Sequence, residues 1–330
     1  MRRMPLLALG MLALMSGLTA GLGRMGWFTL GLNHTQWHAT LMVSGFLGTV
    51  ISLERAIAVS RRWAYLAPML TGVGALSLVA GTPWRISAAF VLLGSVIAAL
   101  TFVSLLLRLP SWPLATMGLG AACWVGSNVA WLLGAPTYRL APVWMCFLAL
   151  TILGERLQLS RMVMASVGVR RMFGGVIVVI VLGAALGVVA YDAGARLVGV
   201  GFVLAAAWLL RYDMARRVLT ASRRASGRAG GVPLFSAVCL LVGYGWLGVS
   251  GTLWIVHGGW VGVLRYDAVL HSFFLGFVVS MVLGHAPVIF PTVLGFTMRF
   301  HRGFYAPVIL LHGALAVRVA GDLVAWMPGW

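Results

Sequence analysis

The segment Val176–Val189 reads VIVVIVLGAALGVV and contains no polar side chain. Its apolar residues follow one another without the alternation of polar and apolar positions that is typical of a transmembrane β-strand. A helix needs about 20 apolar residues to cross the hydrocarbon layer of a bilayer, where every backbone N–H and C=O group has to be paired within the protein. The segment therefore predicts a membrane-spanning helix.

The same apolar character extends along the 330-residue chain, of which 61% is hydrophobic and 9% is charged. A soluble domain carries roughly 25% charged residues. We therefore predict an all-α polytopic membrane helical bundle that forms a single transmembrane domain over residues 1–330, with about eleven helices in a range of ten to twelve. The predicted spans are about 4–23, 37–59, 63–82, 86–109, 113–134, 139–156, 172–191, 195–213, 232–256, 266–297 and 304–327.

Four segments need separate interpretation. Met1–Gly23 has a basic start and small residues at its end, so it fits a cleaved signal peptide as well as the retained helix that its length favours. The tenth span contains Pro287 and Pro291, which predict a kink or a tilt. Arg24–Gln36 and the Ser-, Arg- and Gly-rich Thr220–Gly231 are the segments least expected to be helical.

The basic residues indicate the orientation. There are 24, all of them arginine, and the net charge is +18. In a soluble protein this charge would suggest nucleic acid, but the arginines here lie in short loops between apolar spans, so the expected partner is the lipid bilayer and not nucleic acid. If the N-terminus is cytoplasmic, most arginines fall inside, and the outer segments hold only Arg24, Arg85, Arg139, Arg196 and Arg265. This asymmetry predicts a multi-pass protein of the bacterial inner (cytoplasmic) membrane with a cytoplasmic N-terminus.

Ionisable residues inside spans are the first candidates for a functional site. His38 lies at the outer end of the second span. His271 lies about five residues, or ~8 Å, into the tenth span from the same side. Two imidazoles at a similar depth on different helices could approach one haem iron from opposite sides, and neutral imidazole also suits copper. The alternative is a pair of interfacial histidines that are hydrogen-bonded to loops.

Two deeper histidines suggest a second metal site. His285 follows His271 on the tenth span, and His312 lies about eight residues into the last span. Either imidazole could reach the middle of the bilayer, where Met281, four residues before His285, could act as a soft copper ligand. The alternative is that Met281 only fills the core. The remaining histidines, His34, His257 and His301, fall in loops or at interfaces and are predicted to be solvated.

Three charged residues accompany these histidines. Asp267 precedes His271 by four residues and could accept its ring proton, although a pairing with Arg265 or exposure to outer water is the favoured interpretation. Arg318 and Asp322 are four residues apart in the last span, a spacing that permits an ion pair within one helix.

The two outer histidines lie in motifs that resemble the NnrS family, whose members are haem- and copper-containing membrane proteins associated with nitric oxide metabolism. The early family motif, W-H-A-x-x-M-x-x-G-F, is matched at each fixed position from Trp37 to Phe46. The late motif is matched by His271, Gly276 and Met281. The chain departs from the family at Thr40, where members commonly have a second histidine, and in its eleven predicted spans against the family's usual twelve.

The layout is also similar to the main subunit of haem–copper oxidases, which holds a low-spin haem between histidines of its second and tenth helices. That family places its copper ligands on helices six and seven. The sixth and seventh predicted spans here contain no histidine, so oxygen reduction by that mechanism is not expected.

The resemblance to NnrS implies a haem-binding protein, with haem b held by His38 and His271, a possible copper ion, nitric oxide or another small diatomic molecule as ligand, and an electron donor as partner. His285, and less directly His312, are the further candidate ligands. Whether such a protein turns over nitric oxide as an enzyme or senses it is left open. Two other functions also fit a polytopic membrane protein: a secondary transporter of a small solute, with a broken helix at Gly284–Pro291, and an assembly factor for a respiratory complex.

Overall fold

The computed structural model describes residues 3–27, 35–160, 166–224, 231–259, 263–294 and 299–324, and every regular element in these ranges is helical. Nine of the described helices are long and apolar enough to cross a membrane. The predicted all-α polytopic bundle is therefore confirmed. The chain is a multi-pass membrane protein.

We number the helices in chain order. They are α1 (Met4–Arg24), α2 (Thr35–Val59), α3 (Leu66–Val79), α4 (Trp84–Arg108), α5 (Trp112–Leu132), α6 (Thr137–Leu159), α7 (Val167–Val189), α8 (Tyr191–Tyr212), α9 (Met214–Arg224), α10 (Val232–His257), α11 (263–294) and α12 (Arg302–Leu323). Each predicted span overlaps one of these helices.

Two helices do not match the sequence interpretation. The inner segment Thr220–Gly231 was expected to be non-helical, but α9 continues through Arg224; residues 225–230 lie outside the described part. The α3 helix covers only Leu66–Val79, after a single 3₁₀ turn at Arg62–Tyr65, and is shorter than its predicted span. Within the segment Arg24–Gln36, residues 28–34, including His34, also lie outside the described part.

Two helices contain π-helical segments, in which hydrogen bonds run from residue i to i+5. In α2 the segment is Leu41–Gly48, and in α11 it is Ser272–Val279. The irregularity of α11 therefore lies before the prolines that predicted a kink, and the helix continues past Pro287 and Pro291 to Leu294. A π-helix is rare and is frequently found at functional sites.

Contacts divide the chain into two compact units. Unit one is Met1–Phe147 and unit two is Leu148–Pro328. The prediction of a single transmembrane domain stays a prediction, and each unit is described by itself.

In unit one, α1 packs closely against α2 through small residues. A Cβ atom added at Gly17 would lie 2.7 Å from Sδ of Met42, so the side chain of Met42 packs directly on the glycine. Further along α2, the indole of Trp124 lies against Gly48 and donates a hydrogen bond of 3.1 Å to Oγ of Ser44. These contacts order the π-helical segment of α2. The retention of α1 in the mature protein stays a prediction.

In unit two, α8 and α10 make a close contact between backbones. A Cβ atom added at Gly199 would lie 2.7 Å from the carbonyl oxygen of Gly251. The ring of Phe202 next to this contact stacks on Trp254 and on Phe273, the second residue of the π-helical segment of α11. Small residues therefore bring the helices together, and aromatic rings fill the space beside them.

Candidate functional site

His38 is the first residue of the regular part of α2, three residues before the π-helical segment. Its Nδ1 atom lies 2.7 Å from the carbonyl oxygen of Gly17 in α1. A carbonyl oxygen can only accept a hydrogen bond, so Nδ1 carries the proton and, in the neutral ring, Nε2 carries the lone pair. The absence of a side chain at Gly21 makes room for the ring, since a Cβ atom there would lie 2.9 Å from Nδ1 of His38.

His271 ends the first segment of α11, directly before the second π-helical segment. Its Nδ1 atom lies 3.1 Å from Oδ2 of Asp267 and 3.0 Å from the carbonyl oxygen of the same residue. Both of these oxygens are acceptors, so Nδ1 of His271 also carries the proton. The structure therefore places Asp267 in the orienting role that was the less favoured of its two predicted roles.

The carboxylate of Asp267 is itself held by α12. Arg318 donates two hydrogen bonds to Oδ2 of Asp267, from Nη2 at 2.7 Å and from Nε at 2.9 Å. Arg318 on α12 thus forms an ion pair with Asp267 on α11, and the predicted pair with Asp322 on its own helix stays a prediction. Asp322 is 5% exposed, and its Oδ2 has no hydrogen-bond partner. The result is a chain of contacts from Arg318 through Asp267 to the ring of His271.

The glycines of the two quoted motifs lie inside the π-helical segments. A Cβ atom added at Gly45 would lie 2.8 Å from the side chain of Ala75 and 3.0 Å from that of Ala13. One added at Gly276 would overlap the indole of Trp246 in α10. In both units the histidine is thus followed by a π-helical segment whose glycine lies at a tight contact between helices.

His285 lies deeper on α11. Its Nδ1 atom lies 2.6 Å from the carbonyl oxygen of Met281, one turn earlier on the same helix. This contact again places the ring proton on Nδ1. Met281 is buried, and its Cε methyl group faces Gly243 of α10. His285 and Met281 therefore do share a helix face, as their spacing predicted.

His312 differs from the other three histidines because both of its ring nitrogens have described partners. The indole Nε1 of Trp246 donates to Nδ1 at 3.0 Å, which places the ring proton on Nε2, and Nε2 lies 3.3 Å from Oγ of Ser280. Binding of a metal at Nδ1 would require the loss of the hydrogen bond from Trp246. Ser280 precedes His285 by five residues, which corresponds to about 7.5 Å along a helix.

No group of three or more His, Cys, Asp or Glu side chains that could hold a metal ion is found among the described residues. An axial haem pair requires only two imidazoles and does not need such a group. His38 belongs to unit one and His271 to unit two, so the structure describes how each ring is held within its own unit. The second metal site at His285, His312 and Met281 stays a prediction.

Sequence interpretation missed one buried polar cluster in unit two. Arg156 and Asp213 are 5% and 1% exposed, and Nε of Arg156 lies 4.0 Å from Oδ2 of Asp213. Ser160 donates to Oδ2 of Asp213 at 3.3 Å, and the backbone N–H of Ala215 donates to Oδ1 at 2.8 Å. Asp213 therefore caps the start of α9 while it binds the end of α6. The feature of the sequence that could have indicated this cluster is the position of Asp213 at the end of the predicted span 195–213, directly before a basic segment.

Comparison with known proteins identifies a family but no named relative. The family described as Domain of unknown function (DUF8744) matches residues 3–330. Neither the curated proteins nor the solved structures contain a match to the chain. Because the match covers nearly the whole chain, the protein belongs to the DUF8744 family.

Proposed function

We propose that this chain is a haem-binding protein of the bacterial inner membrane that acts in nitric oxide or nitrosative-stress metabolism. In this proposal, His38 and His271 are the axial ligands of haem b, and the N-terminus lies in the cytoplasm. The two motifs that resemble the NnrS family suggest the metabolism, and the distribution of arginines suggests the orientation.

The observation that supports the proposal is the hydrogen bond that orients each imidazole ring. In both histidines Nδ1 donates to an oxygen atom, the carbonyl of Gly17 for His38 and the side chain and carbonyl of Asp267 for His271. Histidines that bind a metal usually donate their other ring N–H to a carbonyl or a carboxylate, which fixes the tautomer and the ring orientation. The donor set in each unit therefore fits haem iron through Nε2.

The bound group would supply an iron centre that binds a diatomic ligand or exchanges electrons with a donor protein. The chain itself would orient the two imidazoles and set how strongly each one donates electrons to the iron. Asp267 offers a carboxylate and Gly17 only a backbone carbonyl, so the two imidazoles would be oriented by chemically different partners.

Copper is proposed at the deeper position. His285, with its proton on Nδ1, shares a helix face with Met281, and imidazole and thioether are ligands that copper accepts. Metal analysis tests this part separately from the haem, because replacement of His285 by Ala would remove copper and leave haem content unchanged.

The experiment that tests the haem proposal is an absorption spectrum of the purified full-length protein. The protein should show the spectrum of a b-type haem, and His38→Ala and His271→Ala should each lose it. His301→Ala is the matched control, because this exposed histidine accepts a hydrogen bond from Gly303 and is assigned no ligand role. A preparation without haem, or a spectrum that both alanine variants keep, would overturn the proposal.

A further inference from the structure

A groove on the surface of unit one has an apolar floor and a charged end. It has a volume of about 460 Å³ and is lined by Trp63, Leu100, Val103, Ser104, Leu107 and Arg108. The five residues from α4 follow the spacing i, i+3, i+4, i+7 and i+8, so they form one stripe along a single helix face. The stripe is apolar apart from Ser104 and ends at the guanidinium of Arg108.

This face of α4 is the one that meets lipid. Ile86, Leu93, Leu100 and Leu107 recur every seven residues, and their side chains are 48%, 54%, 53% and 79% exposed. From the first to the last of these residues a helix rises about 32 Å, close to the ~30 Å of the hydrocarbon layer. Arg108 therefore lies at the level of the lipid head groups, and Trp63 beside it has the interfacial position that tryptophan favours.

Two further arginines lie next to a lining residue of the groove in the chain. Arg61 and Arg62 directly precede Trp63 in the turn before α3, and both are exposed, as is Arg108. In the ranges that the structure describes, none of these three arginines forms an ion pair, whereas the neighbouring Arg55 is paired with Glu54 at 2.7 Å. The head-group end of the groove therefore carries the unpaired Arg108, and two further unpaired arginines directly precede its lining residue Trp63.

We propose that this groove is a binding site for one anionic phospholipid. An acyl chain fills the apolar stripe from Leu100 to Leu107, and the phosphate group lies among Arg61, Arg62 and Arg108. Basic pockets between transmembrane helices are known to bind anionic head groups, and the cytoplasmic leaflet, where the proposed topology places this end, carries the anionic lipids. A zwitterionic lipid of the same chain length fits the stripe equally well but brings a second, positive group toward the arginines.

The test is a lipid titration followed by native mass spectrometry of the full-length protein. Phosphatidylglycerol and phosphatidylcholine with identical acyl chains are compared. The unmodified protein should bind one phosphatidylglycerol more tightly than phosphatidylcholine. Arg108→Gln should weaken phosphatidylglycerol binding about fivefold, which corresponds to the ~1 kcal/mol of a single interfacial arginine. The double variant Arg61→Gln/Arg62→Gln should weaken it further.

Matched controls distinguish lipid binding at this groove from a general attraction of the lipid to positive charge. Arg85→Gln and Arg139→Gln remove the same charge from exposed positions of unit one that the topology places on the outer side, and they should leave the preference unchanged. Val103→Trp fills the groove but keeps every charge, and it should weaken both lipids. Equal binding of the two lipids, an equal loss in the outer variants, or full competition by inorganic phosphate would each overturn the site. The haem spectrum is not involved in any of these outcomes.

Discussion

His38 in unit one and His271 in unit two are held by the same ring atom but by chemically different partners. His38 donates to the backbone carbonyl of Gly17, a neutral dipole on another helix. His271 donates to Asp267, whose carboxylate is also bound by Arg318. The position of the proton is the same in both rings, while the electrostatic environment is not. Two imidazoles that the sequence presents as equivalent therefore differ in the charge of their hydrogen-bond partner, and variants can change them independently.

Removal of the carboxylate at His271 should have the largest effect. Asp267→Ala deprives the ring of its charged partner and removes the ion pair with Arg318, so haem affinity should fall about 10- to 100-fold, the usual cost of losing a residue that orients a metal ligand. Haem titration of the apoprotein measures this change. An affinity within twofold of the unmodified protein would show that Asp267 does not orient the ligand.

The charge of Asp267 can be changed with less effect on shape. Asp267→Asn removes a negative charge beside His271 and should raise the midpoint potential of the haem, since the oxidised form is then bound less tightly. A tenfold change in the ratio of the two affinities corresponds to about 59 mV for one electron. A redox titration followed by absorbance gives the value. Asp192→Asn on α8, whose carboxylate pairs with Arg196 at 2.8 Å, serves as the control for the loss of a negative charge in the same unit. A potential that is unchanged, or lowered, would contradict the role given to the carboxylate.

In unit one, the contact of His38 can be changed sterically. Gly21→Val places a side chain where the ring of His38 lies, which should cost about 1–3 kcal/mol of stability and shift the ring away from Gly17. Gly126→Val is the matched control, because no atom lies within 4 Å of a Cβ at Gly126 of α5. Thermal unfolding in detergent together with haem content measures both effects. Equal losses in the two variants would mean that helix propensity, and not the contact with His38, is responsible.

The smallest effect is expected at His312, whose ring nitrogens both have partners. His312→Phe removes the hydrogen bond from Trp246, so stability should fall by about 1 kcal/mol, with haem content unchanged. The intrinsic fluorescence and the haem spectrum of the variant are the measurements. Loss of haem in this variant would move the ligand role from the outer histidines to the deeper one.

The helices were predictable from the sequence because a membrane span depends on the length and hydropathy of one continuous segment. Val176–Val189 needs no partner to be identified as part of a span, and α7 covers it. The basic helix α9 was missed because Met214–Arg224 is polar and lacks the hydropathy of a span. Its start is capped by Asp213, whose role depends on contacts with Ser160 and Arg156.

The surroundings of the histidines could be predicted only in part. The spacing of Asp267 and His271 suggested their contact, because both residues lie on one helix. Arg318 is 51 residues away from Asp267, so their ion pair depends on how α11 and α12 pack. The π-helical segments contain Gly45 and Gly276, which make close contacts with other helices. No residue pattern within a single helix predicted these segments.

The most direct test of the central claim is the low-temperature electron paramagnetic resonance spectrum of the oxidised, purified protein. If His38 and His271 are the two axial ligands, the unmodified protein should give a low-spin ferric signal typical of two imidazoles, and His38→Ala and His271→Ala should each convert the remaining haem to a high-spin form. A low-spin signal that persists unchanged in either variant would contradict the assignment.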